Sequence, residues 1–183
     1  MVSDVKRQIV LLRGINVGGH RRISMADLRA LLTGLGYEGV RTHLQSGNVV
    51  LESNASPTTV ARMIERGIAD ELGFDVEVFL RTRDELADVV ARDPLGDVAV
   101  DRSRYLVSFL SGEPDPERVR EAAAVDVAPE LFVASGREIY AWHPEGLQAS
   151  KLVKVLSERR LGVTATARNW NTVTRLLALA DEQ

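Results

Sequence analysis

The sequence predicts an α+β fold of two tandem ferredoxin-like (β-α-β-β-α-β) halves with additional helices, related by an internal duplication. Three observations carry this. The apolar period alternates between two and 3.6 in the order strand, helix, strand, strand, helix, strand, twice along the chain. Ser46-Gly47 recurs as Ser135-Gly136, and Leu72-Gly73 as Leu161-Gly162, both 89 residues later, which is the ungapped register a duplicated unit would leave. Asp93-Pro94-Leu95-Gly96-Asp97 reads as a linker. The expected organisation is therefore residues 1–92, a linker over 93–102, and residues 103–183.

The first half opens with Ile9 to Leu12, a continuous apolar run expected of a strand buried on both faces. Ser24, with Asp27 three residues on, caps a helix from Met25 to Leu35 that places Leu28, Leu31, Leu32 and Leu35 on one side. Val40, Thr42 and Leu44 alternate with Arg41, His43 and Gln45 as a two-faced strand. Ser46-Gly47-Asn48 turns the chain into Val49 to Leu51. Ser56-Pro57 opens a second helix, N-cap followed by proline, and Gly73 ends it. Val76, Val78 and Leu80 form a fourth strand, and Thr82-x-x-Glu85 is a capping box for a further helix to about Ala91.

The second half repeats the order. Tyr105 to Leu110 reads as a strand, Pro114 to Ala124 as a helix, and Leu131 to Val133 with Glu138 to Trp142 as a hairpin. Ser150 to Arg160 follows as a helix, then Val163 to Ala167 as a weak strand. Asn169 or Asn171 caps a last helix bearing Val173, Leu176, Leu177 and Ala180.

Composition sets the class. At 45% hydrophobic and 27% charged, the chain is ordinary globular protein. No stretch reaches the ~18 apolar residues of a membrane span, and Met1 to Lys6 lacks the shape of a signal peptide, so a cytoplasmic protein is expected. The absence of cysteine excludes a disulfide framework, a thiolate nucleophile and a cysteine-metal site; with three histidines only, neither a metal nor another cofactor is expected. The net charge of −3 is uneven. Residues 1–50 hold seven Lys/Arg against three acids, and residues 51–101 hold five against twelve. This asymmetry points to a local anionic ligand, with nucleic acid and membrane not expected as partners.

The candidate site is the loop from Arg13 to Arg22. Gly14, Gly18 and Gly19 tolerate positive φ and close approach of a ligand, a helix N-terminus follows, and Arg13, Arg21 and Arg22 supply charge. A Walker loop is excluded, because His20-Arg21 stand where Lys-Ser/Thr is needed. In the ferredoxin-like pattern the first and second strands run parallel, so Gln45, Ser46 and Asn48 should border this loop as neutral hydrogen-bonding groups. Asn16 completes the set. The corresponding loop of the second half, Ser111 to Pro116, is acidic and proline-stiffened. Each choice has a plain structural counterpart: the glycines can serve only a sharp turn, Arg13 can pair an acid across the sheet, and Trp170 can be a core residue whose asparagines cap the helix.

Several of these stretches together resemble a known family. Leu11 to Gly19, Met25-Ala26-Asp27-Leu28-Arg29 and Thr42 to Val50 are similar to the bacterial family of uncharacterised proteins called domain of unknown function 1697. So are Arg81-Thr82 with Glu85-Leu86, Ser150-Lys151-Leu152, and Arg168 to Val173. The resemblance implies two similar α+β halves and no activity. It keeps Lys151 as a minor candidate; Asn169-Trp170-Asn171, the most unusual tripeptide late in the chain, is a further minor candidate as a ligand platform. Where family members usually carry lysines, this chain has His20-Arg21-Arg22, which keeps the charge and changes the donor geometry.

Three functions follow from these residues. The first is a binding protein for a small anion, a nucleotide or sugar phosphate, held by the Arg13 to Arg22 loop. The second is a transferase or hydrolase in the same cleft, for which no acid-base pair is recognisable. The third is a single-stranded RNA-binding module, suggested by the element order alone; Gln8 to Arg13 and Val49 to Glu52 lack the aromatics such sheets display.

Overall fold

In the computed structural model, which describes residues 6–182, the chain forms two units. The first comprises Met1–Asp88 with Arg175–Gln183. It contains β1 (Arg7–Leu12), α1 (Met25–Gly34), β2 (Glu38–His43), β3 (Asn48–Glu52), α2 (Pro57–Leu72), β4 (Val78–Thr82) and the first turns of α3 (Arg83–Arg92). The strands lie in the order β2-β3-β1-β4, every neighbour antiparallel. Alternation turns Val10, Leu12, Val49, Leu51, Val78 and Leu80 onto the face that packs with Leu28 and Leu32 of α1 and Val60, Ile64 and Ile68 of α2. Ile9, Leu11 and Val50, on the opposite face, are buried as well. The caps are those the sequence encodes. Ser24 accepts the amide of Asp27, Ser56 accepts that of Thr59 ahead of Pro57, and Gly73 closes α2 at φ +74°. Thr82 and Glu85 cap α3 reciprocally, at 3.1 and 2.8 Å.

The second unit, Val89–Thr174, contains β5 (Tyr105–Leu110), α4 (Pro116–Ala123), β6 (Leu131–Ser135), β7 (Glu138–Trp142), α5 (Leu152–Val155), α6 (Glu158–Leu161), β8 (Ala165–Asn169) and the start of α7 (Trp170–Asp181). Its strand order, β6-β7-β5-β8, repeats the first unit's. The match extends to single residues. Ile9 pairs with Arg81 on β4 and Val107 with Arg168 on β8, and the residue after each arginine, Thr82 or Asn169, caps the next helix. Glu65 accepts the first amide of β4 and Glu158 the first amide of β8, both at 2.9 Å. Two similar halves of this kind fit a duplication.

Several expected boundaries move. The 89-residue offset holds for the left-handed caps Gly73 and Gly162 but not for the hairpins. His43 pairs with Asn48 across Leu44 to Gly47, whereas Ser135 pairs with Glu138 across Gly136-Arg137 alone. The amide of Leu12 reaches Gly47 and that of Leu110 reaches Arg137, so Gly47 corresponds to Arg137 and not to Gly136. The expected helix from Ser150 to Arg160 is broken. Its start is tied to a buried glutamate, and Ser157 adopts extended backbone (ψ 147°) to begin α6 afresh. The 93–102 stretch is no free linker. Leu95 and Ala99 are buried, the amide of Leu95 meets the Tyr105 hydroxyl at 3.4 Å, and Arg102 bonds Asp93. Finally, the chain end belongs with the first unit, because Leu176, Leu179 and Ala180 bury their side chains and Arg7 and Arg83 bond the last turn of α7.

Candidate functional site

The backbone leaves β1 gripped from both sides: the amide of Leu12 bonds Gly47 and that of Arg13 bonds Glu77. Ile15 is then buried and Asn16 turns the chain at φ +56°. Its side-chain amide donates to the carbonyls of Ile23 (2.9 Å) and Gln45 (2.6 Å), and its Oδ1 accepts from the amide of Ile23 (3.0 Å). The amide of Asn16 also bonds the Arg21 carbonyl, and Val17 bridges His20. What the sequence presents as a glycine loop is thus a miniature β-hairpin. Gly18 (φ +65°) and Gly19 (φ +80°) form its two-residue tip, where positive φ at both positions matches the twist of the flanking strands.

The loop expected as an anion cradle therefore has the geometry of a hairpin. The hairpin's backbone groups bond within the loop, and Gly18 and Gly19 are exposed at its tip. At the start of α1, Ser24 accepts the Asp27 amide at 3.0 Å and donates to the Asp27 carboxylate at 2.7 Å. The first turn therefore carries its own negative charge.

The expected neighbourhood of the two loops is present. Gly47 sits so close to the hairpin base that a Cβ there would stand 2.7 Å from Ile15 Cδ1 and 2.8 Å from Leu12 Cβ. Yet the Ser46 and Asn48 side chains and the Gln45 backbone are engaged in holding the turn. The Gln45 carbonyl takes Asn16, while the buried Asn48 side chain donates to the His43 carbonyl (2.8 Å) and Ser46 Oγ (3.0 Å). His43, at the end of β2, is held below the usual histidine range by burial and by the nearby Arg175 charge. Among the described residues no group of three His, Asp or Glu side chains is placed to hold a metal ion.

Beside the hairpin base lies a cleft of about 710 Å³ lined by Arg13, Gly14, Arg21, Glu65, Asp75, Val76 and Glu77. Arg13 is paired with Glu77 at 2.8 Å, both side chains about one-third exposed (37% and 35%). Glu65 spends Oε1 on the amide of Val78. Arg21, at φ +52°, sets Nη1 3.8 Å from where a Cβ on Gly14 would stand. Two guanidiniums and three carboxylates share the cleft, so it is mixed in charge and not the cationic pocket the basic loop suggests.

The minor candidates lie in the second unit. Trp170 is a core residue, stacked on Tyr105 (4.8 Å between centroids, 15° apart) and tilted against Tyr140. The Arg102 guanidinium lies 5.8 and 5.7 Å from the Tyr105 and Trp170 ring centres. Asn169 caps α7 by accepting the amide of Thr172 at 3.0 Å, and the carbonyl of the exposed Asn171 takes the Thr174 hydroxyl. Trp170 is thus engaged in the core and Asn169 in the cap, whereas Asn171 contributes its backbone carbonyl alone. Lys151 differs, since it lines a cleft of about 480 Å³ with Ser150, Lys154, Val155, Arg160 and Val125.

A buried carboxylate holds the segment that carries Lys151. Glu130, buried between α4 and β6, accepts the amides of Lys151 (2.7 Å) and Leu152 (3.1 Å) and lies 2.8 Å from Nδ1 of the buried His143. Ser150 Oγ lies 3.0 Å from the same Nδ1. Burial alone would raise the Glu130 carboxyl; the bonds from Ser150, His143 and the two amides overcome this and lower it. Both Ser150 and Glu130 meet one ring nitrogen, so this is a positioning cluster and not a nucleophile relay. No pattern around Glu130 marks it in the sequence.

Comparison with known proteins agrees with the fold. A family profile described as Protein of unknown function (DUF1697) matches residues 5–140. The chain is similar to the conserved bacterial protein SP0830 from Streptococcus pneumoniae, at 24% identity and a TM-score of 0.76, covering 96% of this chain and 99% of that one. An unknown protein from Galdieria sulphuraria aligns over 90% of this chain and 98% of that one, at 15% identity and a TM-score of 0.26. No curated protein matches.

Proposed function

Because the chain belongs to the family Protein of unknown function (DUF1697), which assigns it no activity, we propose a function from the chemistry of the cleft: the protein binds a small zwitterion beside Arg21. The observation that carries this is the lining, two guanidiniums with three carboxylates around about 710 Å³. A ligand of purely negative charge, such as a nucleotide or sugar phosphate, would gain Arg21 but lie against Asp75, Glu65 and Glu77. A ligand bearing a carboxylate or phosphate at one end and an ammonium at the other meets both signs. Arg21 and Asp75 are the pair best suited to it, because neither enters an ion pair among the described residues, whereas Arg13 is held by Glu77. An RNA-binding role has no support from the first sheet, whose opposite face is buried at Ile9, Leu11 and Val50.

The test is a thermal-shift and NMR titration at low salt with ω-amino acids from β-alanine to 6-aminohexanoate, against hexanoate, hexylamine and inorganic phosphate. The expected outcome is that one amino-acid length binds better than either singly charged analogue, and that Arg21→Ala and Asp75→Asn each weaken it about tenfold, the loss of one charge-assisted hydrogen bond. Equal binding of hexanoate or phosphate would restore the simple anion reading. No response to any probe would make the loop structural.

A further inference from the structure

The second cleft differs from the first in its charge. Lys151, immediately ahead of α5, and Lys154 within it stand three residues apart and line the same cleft, where like charges repel. Arg160 closes the same cleft, and Arg118 donates to its carbonyl at 3.1 Å, adding a fourth cation nearby. Among the described residues no carboxylate lines this space. The acid of α6, Glu158, is turned to the amide of Ala165. Lys151, Lys154 and Arg160 enter no ion pair among the described residues. The chain as a whole is acidic, at −3, so a concentration of unrelieved positive charge here is not a consequence of composition.

Two further features separate this cleft from a solvated helix face. The exposed Val125, Ala149 and the buried Val155 give it an apolar part of its lining. The segment that carries the lysines is fixed from behind, since the buried Glu130 carboxylate holds the amides of Lys151 and Leu152 while Ser150 Oγ lies against His143 and takes the amide of Val153. The two lysines are therefore presented on an anchored backbone, which lowers the ordering lost on binding.

We infer that this cleft is a second binding site, for a small organic anion whose phosphate or carboxylate meets Lys151, Lys154 and Arg160 and whose apolar body lies on Val125 and Val155. This does not rest on the zwitterion reading, which concerns other residues in the other unit.

The test uses the full chain and phenyl phosphate, followed by isothermal titration and by amide NMR shifts, with inorganic phosphate and phenol as partial probes. Phenyl phosphate should bind more tightly than either, with shifts centred on residues 148–160. Lys151→Gln with Lys154→Gln should weaken it about tenfold or more. Arg22→Gln, which removes an exposed charge from the hairpin of the first unit, should leave it unchanged. Val125→Ser should weaken phenyl phosphate but not inorganic phosphate. The inference fails if phenol binds as well as phenyl phosphate, if Arg22→Gln weakens binding as much as the lysine variants, or if phenyl phosphate moves no resonance in residues 148–160.

Discussion

Asn16 shows how much of the N-terminal loop rests on one side chain. It makes three hydrogen bonds that tie the hairpin to Ile23 and to the neighbouring turn, and it takes a left-handed conformation that asparagine tolerates better than most residues. Asn16→Ala should destabilise the protein by about 2–3 kcal/mol in urea unfolding, at roughly 1 kcal/mol per net hydrogen bond. A loss below about 0.5 kcal/mol would mean that the Val17–His20 hairpin holds itself. Glu130 is the counterpart in the second unit, and its prediction is a pH dependence. Its carboxyl is lowered on folding, so the unfolded chain binds the proton more readily and stability rises with pH through this window. The contribution is present above the ordinary glutamate value of about 4.3 and is lost as pH falls through the lower folded value. Glu130→Gln should flatten that part of the stability profile while reducing stability at neutral pH. An unchanged acid slope would assign it to other carboxylates.

At the level of elements, the order of strands and helices was legible because each half announces itself with period changes and caps. Ser24, Ser56-Pro57, Thr82 and Gly73 all do what their residue types encode. The site was less legible, for a reason visible in the arginines. The excess of positive charge in residues 1–50 suggested a ligand, yet most of it is spent inside the unit. Arg7 bonds the Ala180 carbonyl at 2.6 Å and pairs with Glu52, Arg13 pairs with Glu77, and Arg29 donates to Thr42. Arg41 pairs with Glu182 at 3.2 Å, so it joins Arg7 at the C-terminal end of α7, where cations complement the helix dipole. These partners lie 13 to 173 residues away, and local pattern carries no record of them. The same holds for Glu130, whose partners come from the 143–152 segment. The glycines misled differently: Gly18-Gly19 flanked by Val17 and His20 is a hairpin signal as much as a phosphate-loop signal, and the short strands around it gave no alternation to decide between them.

For the whole molecule, these long-range contacts predict that a cut after residue 92 disrupts the first unit. α3 leads into the second unit at Val89, and α7 returns to the first at Arg175. A fragment of residues 1–92 would keep every strand of the first sheet but lose Leu176, Leu179 and Ala180, all buried, together with the carbonyls that Arg7 and Arg41 bond. Burying a leucine stabilises by about 1.5–3 kcal/mol, so two of them supply a sizeable share of the stability of a domain this small. Fragment 1–92 should therefore give a poorly dispersed NMR spectrum and a urea midpoint far below that of the intact chain. A peptide spanning residues 170–182, added in excess, should bind and restore part of the dispersion by mass action. Arg83→Ala in the fragment should weaken the peptide, since Arg83 bonds Asp181 at 2.8 Å. If fragment 1–92 alone folds with the stability of the intact first unit, the C-terminal turns of α7 are an accessory, and 1–92 is a domain in its own right.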